Sequence, residues 1–246
     1  WNWLAGGTAS SNTDGSITSS VSANTTAGFS IVSYTGTGSN ATVGHGLSVA
    51  PSMVIIKNRD DGQSWRVGVT SIGFDKYLGL NGTGASTSSS GMFNNTAPTT
   101  SVFSVGSDGS TNASGEKCIA YCFADVKGYS KFGSYTGNGN NDGAFVYTGF
   151  KPAWFLIKSS SNAEQWEMVD NKRNTLNPLN LLLYPDQTAA EFTGSTGDRL
   201  HCDFTANGVK LRGNASSANG SGLTYIYMCF AESPFTNSNG TPNNAE

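Results

Sequence analysis

One six-residue phrase occurs twice in this chain of 246 residues, and it constrains the fold more than any other feature. SYTGTG occupies residues 33–38 and SYTGNG occupies residues 134–139, so the copies are 134 − 33 = 101 positions apart. In each copy a tyrosine precedes two glycines, the pattern of a strand that runs into a turn. We therefore predict that a strand ends here in both halves of the chain.

The similarity extends far beyond this phrase. At the same offset MVIIK matches WFLIK, and three further pairs agree: Pro51 with Pro152, Trp65 with Trp166, and Phe103 with Phe204. Towards the end the offset becomes 229 − 122 = 107, where CFAD corresponds to CFAE. A repeat of this length predicts two structural copies of about 100 residues. We assign four regions: an N-terminal strand or linker continuing from a longer chain (1–28), the two repeats (29–126 and 131–235), and a C-terminal tail (236–246).

Hydrophobic residues alternate with polar ones in short runs such as TYIYMCFAE, AFVYTGF and SIVSY. A period of two indicates β-strands, and no stretch keeps a period of 3.6 residues. The dipeptide Asn207-Gly208 predicts a hairpin with a type I′ turn. The predicted fold is therefore all-β, with two tandem antiparallel β-sandwich repeats of the jelly-roll kind. We expect the aligned aromatic residues Trp65, Trp166 and Phe204 to lie in the core.

The composition argues against several partners. Charged residues make up 13% of the chain, the net charge is −3, and there is no run of Lys or Arg, so we expect no nucleic acid partner. The longest apolar run, at residues 179–184, is far shorter than the roughly 20 residues that cross a bilayer, so we expect no membrane partner. Cys118 and Cys122 would lie roughly 13 Å apart on a strand, too far for a disulfide, and we predict buried free thiols.

Candidate catalytic groups are few. His45 and His201 fall at unrelated places in the two copies, and we interpret both as solvated loop residues. No motif of a hydrolase triad, nucleotide site or zinc protease occurs. We predict that the chain is not an enzyme and has neither catalytic residues nor a cofactor.

Two further patterns have a plainer explanation than chemistry. Glu164 and Glu167 could form a glycosidase pair, but Gln63 and Arg66 occupy the corresponding positions of the first copy. The oxygen-rich loops NRDDG and NGNNDG lack the spacing of a calcium-binding loop, so we interpret both as turns and predict no metal site.

Sugar binding is the sharper functional hypothesis. Aromatic rings offer apolar faces to the C–H groups of a sugar, and Asn and Asp side chains form directional hydrogen bonds with its hydroxyl groups. The loop at residues 138–147 combines both, whereas the corresponding residues 37–47 are mainly small. We expect the site to lie in this loop rather than on a sheet face. The predicted ligand-binding residues are Asn138, Asn140, Asn141, Asp142, Phe145 and Tyr147.

Several stretches together carry a family resemblance: SYTGNGNNDGAFVYTGFKPAWFLIK, WEMVDNKR, LLLYP, DFTANGVKLRG and YIYMCFAESPFTNSNGTPNNA. They resemble a repeated module of unknown function in predicted virion proteins of tailed phages, especially marine ones. The resemblance implies a structural protein of the virion, tail-fibre-like or capsid-attached, and implies no reaction. It also implies a homo-oligomer, with a trimer favoured for a fibre.

Two functions follow from that resemblance. One is attachment to a host-surface glycan, and the other is a purely architectural role, as a capsid decoration or fibre segment that binds other virion subunits. A glycan-degrading depolymerase is a third and weaker alternative.

Overall fold

The chain consists of antiparallel sheets with very little helix. A computed structural model describes residues 2–195 and 197–232, and the predicted tail at 236–246 lies outside them. Strands account for 41% of the structure and helices for 5%, so the all-β, antiparallel prediction is confirmed. Among the described residues, no helix is long and apolar enough to span a membrane.

The fold divides into two compact units. Unit 1 comprises residues 1–80 and 86–125, and unit 2 comprises residues 81–85 and 126–246. The four cysteines are divided between them, two in each unit, and all four are buried and free, as predicted.

Unit 1 contains ten strands, two short helices and a 3-10 turn at Thr70–Ile72. The helices are α1 (Ser90–Phe93) and α2 (Gly109–Asn112). The strands are β1 (Ser10–Asn12), β2 (Ser19–Asn24), β3 (Phe29–Thr35), β4 (Ala41–Gly44), β5 (Met53–Asn58), β6 (Arg66–Val69), β7 (Lys76–Gly79), β8 (Thr87–Ser88), β9 (Val102–Val105) and β10 (Lys117–Phe123). Eight strands form one sheet in the order β1-β2-β3-β10-β5-β6-β7-β8, and β4 pairs with β9 in a second sheet. The core collects alternate side chains from both sheets, including Val32, Val54, Ile56, Val43 and Phe103, in a β-sandwich-like arrangement.

The described residues of unit 2 form nine strands: β11 (Ser130–Thr136), β12 (Phe145–Tyr147), β13 (Pro152–Ser159), β14 (Trp166–Asp170), β15 (Leu181–Leu182), β16 (Phe192–Thr193), β17 (Cys202–Thr205), β18 (Gly208–Leu211) and β19 (Thr224–Ala231). They form a four-stranded sheet in the order β11-β19-β13-β14, a three-stranded sheet in the order β12-β18-β17, and the pair β15-β16. Its core again draws on the two larger sheets, including Phe155, Ile157, Tyr227, Val146 and Val209.

The repeated phrase has the same role in both units. β3 and β11 end one residue after the tyrosine, so the predicted strand ends are confirmed. The hydroxyl of Tyr34 donates to the carbonyl of Thr111 at 2.6 Å, and that of Tyr135 donates to the carbonyl of Ala218 at 2.7 Å. The second glycine of each phrase has a positive φ, 73° and 66°, which a residue with a side chain rarely adopts.

A buried asparagine closes the turn after each phrase. The Asn112 Nδ2 donates to the carbonyls of Gly106 and Ser39, both at 2.7 Å, and its Oδ1 accepts from the Thr37 N–H at 2.8 Å. Asn219 does the same in unit 2: its Nδ2 donates to the carbonyls of Gly213 at 2.7 Å and Asn140 at 2.9 Å, and its Oδ1 accepts from the Asn138 N–H at 3.0 Å. Both asparagines have 0% exposure. We call them the clamp asparagines.

The N-terminal segment, predicted as a strand or linker, contains β1 and β2, and β2 pairs with six residues of β3. Residues 2–7 form no strand. Between β1 and β2 the chain also reaches β4, where the Ile17 N–H donates to the Thr42 carbonyl at 3.0 Å. In unit 1 the edge of β4 is therefore covered.

Three local predictions were wrong. His45 is fully buried rather than solvated, because its Nδ1 accepts from the Leu47 N–H and its Nε2 lies 3.2 Å from the Thr99 carbonyl. Trp65 is only half-buried and stacks on Tyr121, although Trp166 and Phe204 lie in the interior as expected.

The third concerns the hairpin at Asn207. β17 and β18 do form a hairpin, but its two turn residues are Ala206 and Asn207, and neither has the positive φ that a type I′ turn requires. Gly208 is instead the first residue of β18.

Candidate functional site

The first half of the predicted site is an internally braced loop. The Asn138 side chain donates to the Asp142 carbonyl at 3.0 Å and accepts from the Asn140 N–H at 3.0 Å. Together with the Asn219 clamp, these bonds fix the loop backbone, so Asn138 positions the loop rather than offering its amide to a ligand. The side chains of Asn140, Asn141 and Asp142 are exposed.

The second half of the predicted site is a strand, which differs from the expectation of a loop. β12 places Phe145 and Tyr147 on the same side, with Val146 between them turned into the core. Phe145 is 46% exposed and Tyr147 is 65% exposed, unusually high for large aromatic side chains. Two rings about 7 Å apart along one strand form a short apolar strip.

Strand register shows what surrounds these rings. Phe145 lies opposite Lys210, which lies opposite Asp203, and Tyr147 lies opposite Gly208. Since residues in register share a face, the outer side of the β12-β18-β17 sheet carries these five residues. We call this surface the aromatic face.

Two ion pairs border the aromatic face. The Lys210 Nζ lies 2.8 Å from the Asp142 Oδ1, and the Arg212 Nε lies 2.6 Å from the Asp203 Oδ2. The hydrogen bond from Lys210, and then its charge, lower the pKa of the exposed Asp142 carboxyl. Charged hydrogen-bond donors and acceptors therefore alternate beside the rings, and such groups can bind the hydroxyl groups of a ligand.

Gly208 makes room for Phe145 on this face. A Cβ at this position would lie 2.3 Å from the Val146 carbonyl oxygen and 2.7 Å from the Phe145 ring. A glycine is therefore required at position 208 by the close approach of β12 and the Phe145 ring, and not by the backbone conformation of the turn.

The corresponding surface of unit 1 is closed. β4 pairs with β9 as β12 pairs with β18, so β9 corresponds to β18 and not to β17, where its predicted match Phe204 lies. Asn12 fills the space beside Gly44, however, and the Ser19 hydroxyl donates to the Gly44 carbonyl at 2.9 Å. In unit 2, no described strand pairs with the other edge of β12. The edge of β12 at the predicted site thus differs from the edge of β4.

The structure therefore brings Asp142, Phe145 and Tyr147 together and leaves the three asparagines in the adjoining loop. Sequence reasoning missed Lys210, Asp203 and Arg212. For Lys210 a signal existed, because it alternates with Val209 and Leu211, both of which are buried.

The metal site and the glycosidase pair considered from the sequence have less structural support. Within the described residues, no group of three or more His, Cys, Asp or Glu side chains is placed to hold a metal ion. Glu167 is fully buried in β14, and the Glu164 carboxylate accepts from the Ser216 hydroxyl at 2.6 Å.

Comparison with known proteins assigns a family without a function. No curated protein and no solved structure matches the chain. A family model described as "Domain of unknown function (DUF7483)" matches residues 1–234. The chain therefore belongs to this family.

Proposed function

We propose that this chain is an attachment module of a phage virion, and that unit 2 binds a host-surface glycan through the aromatic face. The observation that carries the glycan proposal is the exposed pair Phe145 and Tyr147 beside the Asp142–Lys210 ion pair. Rings of this kind receive the C–H face of a sugar, while the charged groups bond to its hydroxyls. The virion assignment rests on the sequence resemblance.

Replacing Tyr147 by alanine should weaken glycan binding at least tenfold, or about 1.4 kcal/mol, because the ring loses its stacking contact. The measurement is a glycan array with the multimeric protein, followed by titration of the glycans that respond. Asn141→Ala/Asp142→Ala should weaken the same signals. Individual sites should bind in the range of about 1 mM, and multivalent display should raise the useful affinity by about 10² to 10⁴.

Phe192→Ala is the matched control, since Phe192 is an exposed aromatic residue of unit 2 that lies on β16, outside the aromatic face. Its array pattern should equal that of the parent. Binding that survives in both Tyr147→Ala and Phe145→Ala would reject the aromatic face as the site.

A second candidate function is architectural, and the open edge of β12 favours it. An unpaired edge strand accepts a strand from another chain, so this edge suits contact with another virion subunit. In that case no glycan on the array responds, and substitutions on β12 instead impair incorporation into particles.

On the virion we expect a homo-oligomer, with a trimer favoured if the protein is a fibre. Native mass measurement of the full-length protein, together with imaging of the particle, tests this. A monomer whose contacts on the particle stay below about 1,000 Å² would contradict it.

We also propose that the two units are tandem copies of one jelly-roll-like sandwich. Supporting this, β3-β10-β5-β6 and β11-β19-β13-β14 place the tyrosine phrase and the MVIIK or WFLIK strand at the same positions. The clamp asparagines add a shared hydrogen-bond pattern. To test this, Asn112 and Asn219 are each replaced by alanine. If the units are copies of one fold, the two substitutions should lower the stability of their own units by equal amounts.

A further inference from the structure

Unit 2 contains a cleft of about 500 Å³ that does not involve the rings of the aromatic face. This volume lies within the range of about 300–1,000 Å³ found for ligand pockets. Three buried apolar residues contribute to its lining, namely Pro152, Leu179 and Phe204. The cleft is therefore partly open, and small apolar patches lie among a mainly polar lining.

One polar side of the cleft is a chain of paired groups. The Lys151 Nζ lies 2.9 Å from the Glu232 Oε2, and the Asn171 Nδ2 donates to the Glu232 Oε1 at 2.8 Å. This side therefore offers an ammonium group and a carboxylate side by side. Lys172, also in the lining, is exposed.

The other polar side is held rigidly by asparagine side chains. The Asn177 amide both donates to the Phe204 carbonyl and accepts from the Phe204 N–H, each at 3.0 Å, so it binds the edge of β17 like a strand. The Asn174 Oδ1 accepts from the N–H groups of Asn180 and Leu181 at 2.9 and 2.7 Å. Because these side chains are already fixed, a ligand that binds here loses little free energy in ordering them.

We propose that this cleft is a second carbohydrate-binding site, which takes one or two neutral sugar residues. The apolar patches suit the C–H face of a sugar, and the mixed donors and acceptors suit neighbouring hydroxyl groups. A sugar carboxylate would compete with Glu232 for the Lys151 ammonium group, whereas a neutral sugar leaves this ion pair intact. The proposal shares with the proposed function only the class of ligand, since it uses different residues.

The test is heteronuclear NMR of the full chain during titration with the methyl glycosides of glucose, galactose, mannose and N-acetylglucosamine. At least one should shift the backbone signals of Thr175 and Leu176, with a dissociation constant of about 1–10 mM. Thr175→Trp, which places a large side chain in the cleft lining, should weaken that response at least tenfold. Lys172→Ala should weaken it severalfold through loss of a donor.

Lys127→Ala is the control, because Lys127 is exposed and lies outside the cleft; it should leave the response unchanged. Tyr147→Ala should also leave it unchanged, which separates this site from the aromatic face. The proposal is wrong if no glycoside shifts these signals, if Thr175→Trp responds like the parent, or if only methyl glucuronide, added as an anionic comparison, produces a shift.

Discussion

Replacing Asn219 by alanine should destabilise unit 2 by about 4 kcal/mol, because four hydrogen bonds of a fully buried side chain are lost together. Alanine cannot replace any of them, and it leaves buried carbonyl and N–H groups without partners, each at a cost of about 1–3 kcal/mol. The loop that carries Asn138 and Asn140 should loosen first. Hydrogen exchange of the β11 and β19 peptides measures the effect.

Asn141→Ala provides the control from the same loop, since the Asn141 side chain is exposed; it should change stability by no more than about 0.5 kcal/mol. Asn112→Ala should destabilise unit 1 by a similar amount to Asn219→Ala in unit 2, since its bonds to two carbonyls and one N–H have counterparts in the bonds of Asn219. A loss below about 1 kcal/mol for either clamp asparagine would contradict the role given to it.

The clamp asparagines also show where sequence reasoning stops. The strand ends at Tyr34 and Tyr135 follow from local chemistry, and they were predicted correctly. The hydrogen bonds of Asn112 and Asn219 join residues that are separated by 75 and 81 positions in the chain, so no local sequence pattern predicts them. A signal does exist: both asparagines precede a glycine by three residues, and they match at the offset of 107 rather than 101.

His45 illustrates a second limit. A histidine between glycines looks like a loop residue, and burial depends on which strands close over it. In unit 2 the buried Thr148 has the same local pattern, because its hydroxyl accepts from the N–H two residues later, as the His45 Nδ1 does. His45 and Thr148 are each followed by a glycine, but the sequence alone does not show that either side chain is buried.

At the candidate site, alternation in the FVY run correctly places Phe145 and Tyr147 on one side of a strand. Which side faces outwards depends on the pairing of β12 with β18. The open edge of β12 arises because the described residues of unit 2 include no strands placed like β1 and β2. Both facts belong to tertiary structure. Sequence could therefore nominate these residues but not describe the surface that they form.

Replacing Glu167 by glutamine should stabilise unit 2 by roughly 3 kcal/mol near pH 7 and have almost no effect near pH 4. The Glu167 side chain has 0% exposure, and burial raises the pKa of its carboxyl to about 7. Its Oε2 accepts from the Leu200 N–H at 2.8 Å, a bond that a glutamine carbonyl can keep. Its Oε1 lies 3.9 Å from the Arg199 Nη1, too far for a hydrogen bond.

The sign follows from the direction of this pKa shift. In the unfolded chain the carboxyl ionises near its usual pKa of 4.5, whereas in the folded state it holds its proton up to about pH 7. Between these values the folded state binds more protons, so stability is fully present below about pH 4.5 and is lost as the pH rises towards 7. Glutamine stays neutral throughout and escapes this loss.

Hydrogen exchange of the β13 and β14 peptides, or urea unfolding followed by tryptophan fluorescence, should show the two proteins diverging only above about pH 4.5. Burial also lowers the pKa of Lys158, to about 8, so measurements below pH 7.5 keep this lysine mainly charged in both states. Glu164→Gln is the control, since this half-exposed glutamate lies just before β14 and its replacement leaves the buried Glu167 carboxyl in place. If Glu167→Gln instead gave a pH-independent change, the Glu167 carboxyl would have to be ionised in the folded state, and the Arg199 guanidinium would then have to approach Oε1 more closely than 3.9 Å to balance its charge.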